Sequence, residues 1–321
     1  MKRPVPAFGN LETNMAYLLF EQILSLFLMM ICGFVIVKVR LLKSEDSRIL
    51  TVLSLYLILP CVIIRSFQIE LTETVRNGFF LALGAAVLIH VLLLVLVRLI
   101  KKPFHLNEVE QGSLIYSNAG NLIIPLVTAV LGEEWVIYAS AFMCVQLVFT
   151  WTHGQALISG EKGFNLKRII TNANFISIMI GIILMILKNR IPAVLSNAMG
   201  SIGATLGPIG MIMIGMLVGG MDLKAVFRNK RLYILTLLKM LVIPALVLFA
   251  LKVSRLAALS PDGETILLIS FLAVMTPSAT IVTQISQLFG KDSQLAGAIN
   301  VMTTMVCVAT MPLMTQLYMM L

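Results

Sequence analysis

The sequence predicts an all-α membrane protein of ten transmembrane helices, arranged as an inverted five-plus-five repeat in which helices four and nine are broken and cross at mid-membrane. Three observations lead there. The 321 residues are 59% hydrophobic and 12% charged, with a mean hydropathy of +0.98, well past the roughly one-half apolar share of soluble domains. The apolar residues gather into runs of membrane-crossing length, about 17 to 25 residues, separated by short charged connections. Two of these runs are interrupted near the middle by a proline in polar company: Ser117-Asn118-Ala119-Gly120-Asn121-Leu122-Ile123-Ile124-Pro125 and Met275-Thr276-Pro277-Ser278-Ala279-Thr280.

In chain order the ten runs are 17–37, 49–66, 78–100, 110–131, 134–153, 173–188, 198–220, 232–251, 264–288 and 295–320. They use most of the chain and leave no room for a soluble catalytic domain. The first run is too long for a signal-peptide core and no small-residue cleavage site follows it, so it is expected to stay as a mature helix. The expected organisation is an N-terminal tail over 1–16, one five-helix repeat over 17–153, a cytoplasmic connection over 154–172 and a second repeat over 173–321.

The repeat shows as a constant offset. Pro125 and Pro277 lie 152 residues apart, and Ile69-Glu70-Leu71 returns at the same offset as Met221-Asp222-Leu223. An odd number of helices per copy forces the second copy to insert upside down relative to the first. Orientation follows from the basic residues: fifteen Lys and Arg flank one set of loops and eight the other, which places the fifteen in the cytoplasm and both termini outside. The net charge of +9 therefore reports sidedness rather than affinity for nucleic acid. Cys32, Cys61, Cys144 and Cys307 all fall in apolar runs without ligand-like spacing and read as small buried apolar side chains.

Chemistry concentrates at the two interruptions. Pro125 lacks the N–H that would bond the Asn121 carbonyl, so the helix is expected to open there, with Gly120 adding backbone freedom and Asn118 and Asn121 supplying amides. Pro277 likewise frees the Ala273 carbonyl, and Thr276, Ser278 and Thr280 add hydroxyls. Where two such helices cross, half-helix N-termini offer free N–H groups and positive dipole ends that hold an anion without a fixed counter-charge. The plainer alternative is a simple kink in each helix, with the asparagines bonding neighbouring helices. Pro60, Pro208, Pro244 and Pro312 read as ordinary kinks.

Ionisable groups at membrane depth are costly and are therefore candidates for work. Lys239 lies a third of the way into 232–251, Glu21 near the outer end of the first run and His90 in the centre of the third. For Lys239 two readings stand: a charge partner for substrate or a coupled proton, or a snorkelling or structural cation. Glu21 could serve the same coupling, and His90 fits a hydrogen-bonded core histidine. Fourteen of the fifteen acidic residues fall in loops or at helix ends, which disfavours a cation exchanger and favours a neutral or anionic cargo. A phosphate-cradling glycine loop, H-E-x-x-H and a nucleophile elbow are absent, so the chain does not read as an enzyme. Gln284 and Gln287 could join a sodium site, but without carboxylates nearby that reading is weak.

Asn118-Ala119-Gly120-Asn121-Leu122-Ile123-Ile124-Pro125, with Leu57-Ile58-Leu59-Pro60 in the second run, resembles the auxin efflux carrier family of membrane transporters, and in particular its bacterial malate and malonate permease-like branch. The resemblance spans nearly the whole chain. It implies a fold like that of bile acid symporters and sodium/proton antiporters, in which helices one, two, six and seven form a scaffold and the rest a mobile unit. It also implies that substrate meets Asn118, Asn121 and Pro125 in helix four and Pro277 in helix nine. Plant members carry Asn-Pro-Asn in helix nine where this chain has Thr276-Pro277-Ser278, so an auxin-like cargo is not implied.

The functional expectation is a secondary transporter of the cell membrane that moves a small organic anion by an elevator mechanism. Its site would comprise Asn118, Gly120, Asn121, Pro125, Thr276, Pro277, Ser278 and Thr280, with Lys239 or Glu21 as charge partner. A non-transporting sensor or assembly partner with the same fold is the alternative. No cofactor or metal is expected, and protons or sodium are the two candidate driving ions. The expected partners are a small-molecule carboxylate, the lipid bilayer and, if copies associate, a second chain in a homodimer; no nucleic acid is expected.

Overall fold

A computed structural model describes residues 21, 24, 25, 27–160, 167 and 170–321; the side chains at 120, 121, 129 and 225 lie outside that description, as do the tail over 1–16 and residues 161–166, 168 and 169 of the connection expected over 154–172. The described chain is helical. Twelve helices carry the architecture: α1 Phe27–Lys38, α2 Ser44–Ser66, α3 Glu73–Lys101, α4 Glu108–Ile115, α5 Ala119–Val130, α6 Glu133–Ser159, α7 Ala173–Ile186, α8 Ala193–Gly219, α9 Lys230–Ser254, α10 Gly263–Met275, α11 Thr280–Leu288 and α12 Ser293–Met320. Six of them, α2, α3, α6, α8, α9 and α12, are long and apolar enough to span a bilayer. Many of their apolar side chains point outward, among them Phe80, Leu99, Phe249 and Val253, as expected of helices that face lipid rather than water.

Short polar devices start several helices where apolar periodicity does not. Thr72 caps α3 by accepting from the Val75 N–H, and Asn107 and Glu110 form a reciprocal capping box at α4. Asn172 caps α7 through the N–H groups of Asn174 and Phe175.

The helices pack in two groups. In the first, α2 lies against α7 and both segments of α8, while α1 crosses α8 at backbone contact. Gly33 faces the Ile212 carbonyl and Gly215 the Met30 carbonyl so closely that a Cβ at either glycine would overlap the facing backbone. In the second group α3 packs along α6, α4 and α10, and α12 along α4, α9 and α11.

Two expectations are corrected by these elements. The interruption in the fourth run lies at Tyr116–Asn118 and not at Pro125, which sits inside α5, a continuous helix from Ala119 to Val130 that also holds Gly120 in its first turn. A proline one and a half turns into a helix bends it without ending it. The chain stops being helical where Tyr116 turns extended, at φ −90° and ψ 130°. The 152-residue offset accordingly fails at the breaks: Ser117 is paired with Ser278, 161 positions on. The second break, Thr276–Ala279, does contain its proline, because a residue preceding proline avoids the helical region and Thr276 adopts ψ 153°.

Two further details differ from expectation. Pro60 and Pro244 each follow a five-residue π-helical segment, Ser54–Ile58 and Leu238–Val242, so the turn widens where the proline N–H is missing instead of only kinking. Cys32 is exposed, whereas Cys307 is buried; all four cysteines are free. Gln284 and Gln287 are exposed on α11.

Candidate functional site

Four half-helices end at one place, α4 and α10 by their C-termini and α5 and α11 by their N-termini. Between them Tyr116–Asn118 and Pro277–Ala279 run antiparallel, joined by two backbone hydrogen bonds: the Asn118 N–H donates to the Pro277 carbonyl at 2.7 Å and the Ala279 N–H to the Tyr116 carbonyl at 3.0 Å. Non-helical backbone away from water must satisfy its polar groups inside the protein. The inner edges of the two segments satisfy each other.

Their outer edges are met by side chains from the neighbouring long helices. Gln146 of α6 donates to the Ser117 carbonyl at 2.8 Å and accepts from the Ser117 N–H at 3.4 Å. On the other side Thr303 of α12 accepts from the Ser278 N–H at 3.1 Å, and Asn300 donates to the Ser278 carbonyl. The Ser117 peptide groups are thus held by one side chain of α6, and those of Ser278 by two side chains of α12.

Tyr116 explains why the first break needs no proline. Its ring is fully buried, its hydroxyl donates to the Phe149 carbonyl and lies 2.9 Å from His153 Nδ1, and Gly154 passes so close that any Cβ there would crowd the ring. Anchored in this way, Tyr116 leaves the helix.

Lys239 is fully buried in the π-helical segment of α9 and donates to the Leu114 carbonyl at 3.2 Å and to Ser117 Oγ at 2.8 Å. Its ammonium therefore sits at the C-terminal, negative end of α4, where it caps a carbonyl and fixes the serine that carries the bridge. His90 is also fully buried; Nδ1 lies 2.7 Å from the Ala86 carbonyl and the ring stacks on Phe149 and leans on Phe142. Glu21 is exposed on the first helix, away from the bridge residues in sequence and in burial class.

Three cavities line up along the seam between the two packing groups. One of about 150 Å³ has Leu55 and Leu59 of α2 and Asn172 and Asn174 of α7 on one wall, and Ser117, Asn118, Gln146, Thr150 and Thr280 on the other. A narrow one of about 30 Å³ lies across the bridge, between Phe27, Met30 and Met211 on one side and Asn118, Pro277, Thr304 and Cys307 on the other. A third, of about 260 Å³, is walled by α1, α2 and α8 against Ile124, Pro125 and Thr128 of α5 and Glu133. Asn118 borders the first two.

Of the residues singled out from sequence, Asn118, Thr280, Pro277 and Pro125 border these cavities. Thr276 turns inward and donates to the Ala273 carbonyl at 2.8 Å, and Ser278 is fully buried against α12. The Asn121 side chain lies outside the described residues, and Gly120 is placed only as part of the α5 backbone. Gln146, Asn172, Asn174, Asn300 and Thr303 were not anticipated. Gln146 and Asn300 carried a signal, since each is an amide inside an apolar run, where an unpaired amide is costly.

A chain with buried, backbone-paired interruptions in apolar helices and polar-walled cavities beside them belongs to the class of membrane transport proteins. The family model described as membrane transport protein, that of the auxin efflux carriers, matches residues 18–167 and 162–315. The chain belongs to that family, and its membership implies a membrane transporter. No protein of curated function matches the sequence significantly.

Proposed function

We propose that the chain is a secondary active transporter with ten membrane spans, counting α4–α5 and α10–α11 as one broken span each and α1 and α7 as shorter spans, with both termini outside the cell. Its cargo is a small organic anion, a dicarboxylate or another carboxylate. The carrying observation is the position of Asn118: it borders two cavities in the seam between the packing groups, next to the N-termini of α5 and α11. Those N-termini bring partial positive charge to a place where the chain has no carboxylate of its own among the lining residues.

The seam supports an elevator displacement. The group containing α1, α2, α7 and α8 supplies one wall of every cavity in it, and the group carrying the bridge supplies the other. Sliding one group along the other would carry Asn118 and Thr280 from the small cavity toward the large one, with the bridge moving as a unit. Lys239 serves in this reading as the cation that steadies the bridge.

Flux of radiolabelled malonate and succinate into proteoliposomes is the test. Asn118→Ala and Asn121→Ala are each expected to lower uptake at least about tenfold, the loss of roughly one charge-assisted hydrogen bond to a buried anion. Wild-type rates in both variants would remove the site assignment. A protein that shows no flux and no thermal stabilisation by a panel of organic acids, with and without sodium, would instead be the non-transporting sensor or assembly partner.

A further inference from the structure

We propose that Arg65 is a second carboxylate-binding residue, at the large cavity, and that Glu133 occupies its guanidinium until an incoming substrate carboxylate displaces it. The inference rests on the organic-anion reading above and names a residue which that reading does not use. Arg65 stands in the last turn of α2, and its Nη2 lies 2.9 Å from Glu133 Oε2. Both side chains border the cavity of about 260 Å³ whose far wall is Pro125 and Thr128 of α5, the helix that follows Asn118. Arg65 and Glu133 are the ionisable residues of that wall; the rest is apolar apart from Ser25 and Thr128.

Several features mark the guanidinium as a seat and not a surface charge. The Arg65 side chain is one-quarter exposed, while that of its partner is 53% exposed, so the carboxylate is the freer of the two. Gly200 of α8 packs against the guanidinium, where a Cβ would land on Nη1. Glu133 approaches from the other packing group, on a short turn that follows Gly132, whose φ of 116° few other residues adopt. The arrangement is therefore a planar donor fork held by the α2–α8 group, with a carboxylate on a tethered arm from the opposite group already bound to it. A free carboxylate entering the cavity offers the same chemistry without the tether. The pair lies at the end of the molecule with fewer basic residues, which is the outer face in the proposed topology, and so it would act on external substrate.

The experiment measures KM and kcat for malonate uptake into proteoliposomes by the wild type and by Glu133→Gln, Arg65→Gln and Arg65→Lys, with monodispersity in detergent recorded for each. Glu133→Gln removes the internal competitor and is expected to lower KM severalfold, a gain that misfolding cannot produce. Arg65→Gln is expected to raise KM about tenfold with kcat within about twofold, and Arg65→Lys to fall between, because a lysine keeps the charge and loses the fork. Uptake by the wild type with KM unchanged in Glu133→Gln and Arg65→Gln overturns this inference and leaves the transport reading standing. A fall in kcat in both, restored by the exchanged pair Arg65→Glu with Glu133→Arg, overturns it in favour of a latch between the groups. Absence of any carboxylate uptake by the wild type removes the reading and this inference together.

Discussion

Gln146 shows most directly how one side chain sets the chemistry of the bridge. Its amide satisfies both peptide groups of Ser117, which extended backbone would otherwise leave unpaired among apolar side chains. Gln146→Leu keeps the volume and removes both bonds, so a loss of about 2–3 kcal/mol is expected, read as a drop in the melting temperature of the detergent-solubilised protein. Lys239 makes a parallel case. Lys239→Met leaves the Leu114 carbonyl and Ser117 Oγ without their donor and is expected to cost about 1–3 kcal/mol, with Lys239→Gln costing less because its amide still donates. A Lys239→Met protein as stable as the wild type would show that the ammonium is not a structural cap. A structural cation was one of the two sequence readings of Lys239, but the partners of neither side chain were legible. Gln146 finds its partner 29 residues away and Lys239 finds Ser117 122 residues away, and only the folded chain brings them together.

At the scale of elements, what could be read in advance was what local sterics and hydropathy control. The apolar runs were readable because helix length in a bilayer is set by its thickness. The break at Thr276–Ala279 was readable because Pro277 restricts the residue before it. The break at Tyr116–Asn118 was not, because tertiary contacts make it: Tyr116 pinned at Phe149 and His153, and an extended partner strand to pair with. Pro125, the local signal that did stand out, lies within a continuous helix. The close crossing of α1 and α8 was likewise invisible before Gly33 and Gly215 were seen facing backbone. Gly215→Leu forces the two helices apart and is expected to cost about 3 kcal/mol or more, seen as aggregation or a lowered melting temperature, while Gly84→Leu, with open space beside it, should be tolerated. Near the N-terminal end of α4 a pH effect is also expected. Backbone N–H groups at its start and the Lys291 ammonium at 3.0 Å hold the Glu108 carboxyl below the usual carboxylate range, so its contribution is complete above the unfolded value of about 4.3 and is lost as pH falls through the lower folded value. The pair is partly exposed and the effect small: between pH 6 and pH 3 the wild type should lose slightly more stability than Glu108→Gln.

For the whole molecule the decisive quantity is which way the two packing groups face across the membrane. The charged ends of the helices divide unevenly, and the ion pairs divide with them: Arg231 with Glu110 and Lys291 with Glu108 tie the starts of α9 and α4 and the turn before α12 at the basic end, whereas Arg65 with Glu133 and Lys252 with Glu264 lie at the sparse end. Translocation of lysine and arginine across a membrane is costly, so the proposed topology keeps the basic end in the cytoplasm. Single cysteines introduced into a cysteine-free background then report the orientation. Lys188→Cys, after α7, and Arg255→Cys, after α9, should react with a membrane-impermeant maleimide added to intact cells, and Lys102→Cys and Lys230→Cys only after permeabilisation. Helix α9 carries a tested position at or next to each end, Lys230 and Arg255, so those two sites must label oppositely if it crosses. The reverse pattern would invert the proposed topology and place the Arg65 cavity on the cytoplasmic side. Labelling of Lys102→Cys and Arg255→Cys alike from outside would mean that the two halves are not inverted, and the shared bridge between α4–α5 and α10–α11 would then need an origin other than a duplicated unit inserted upside down.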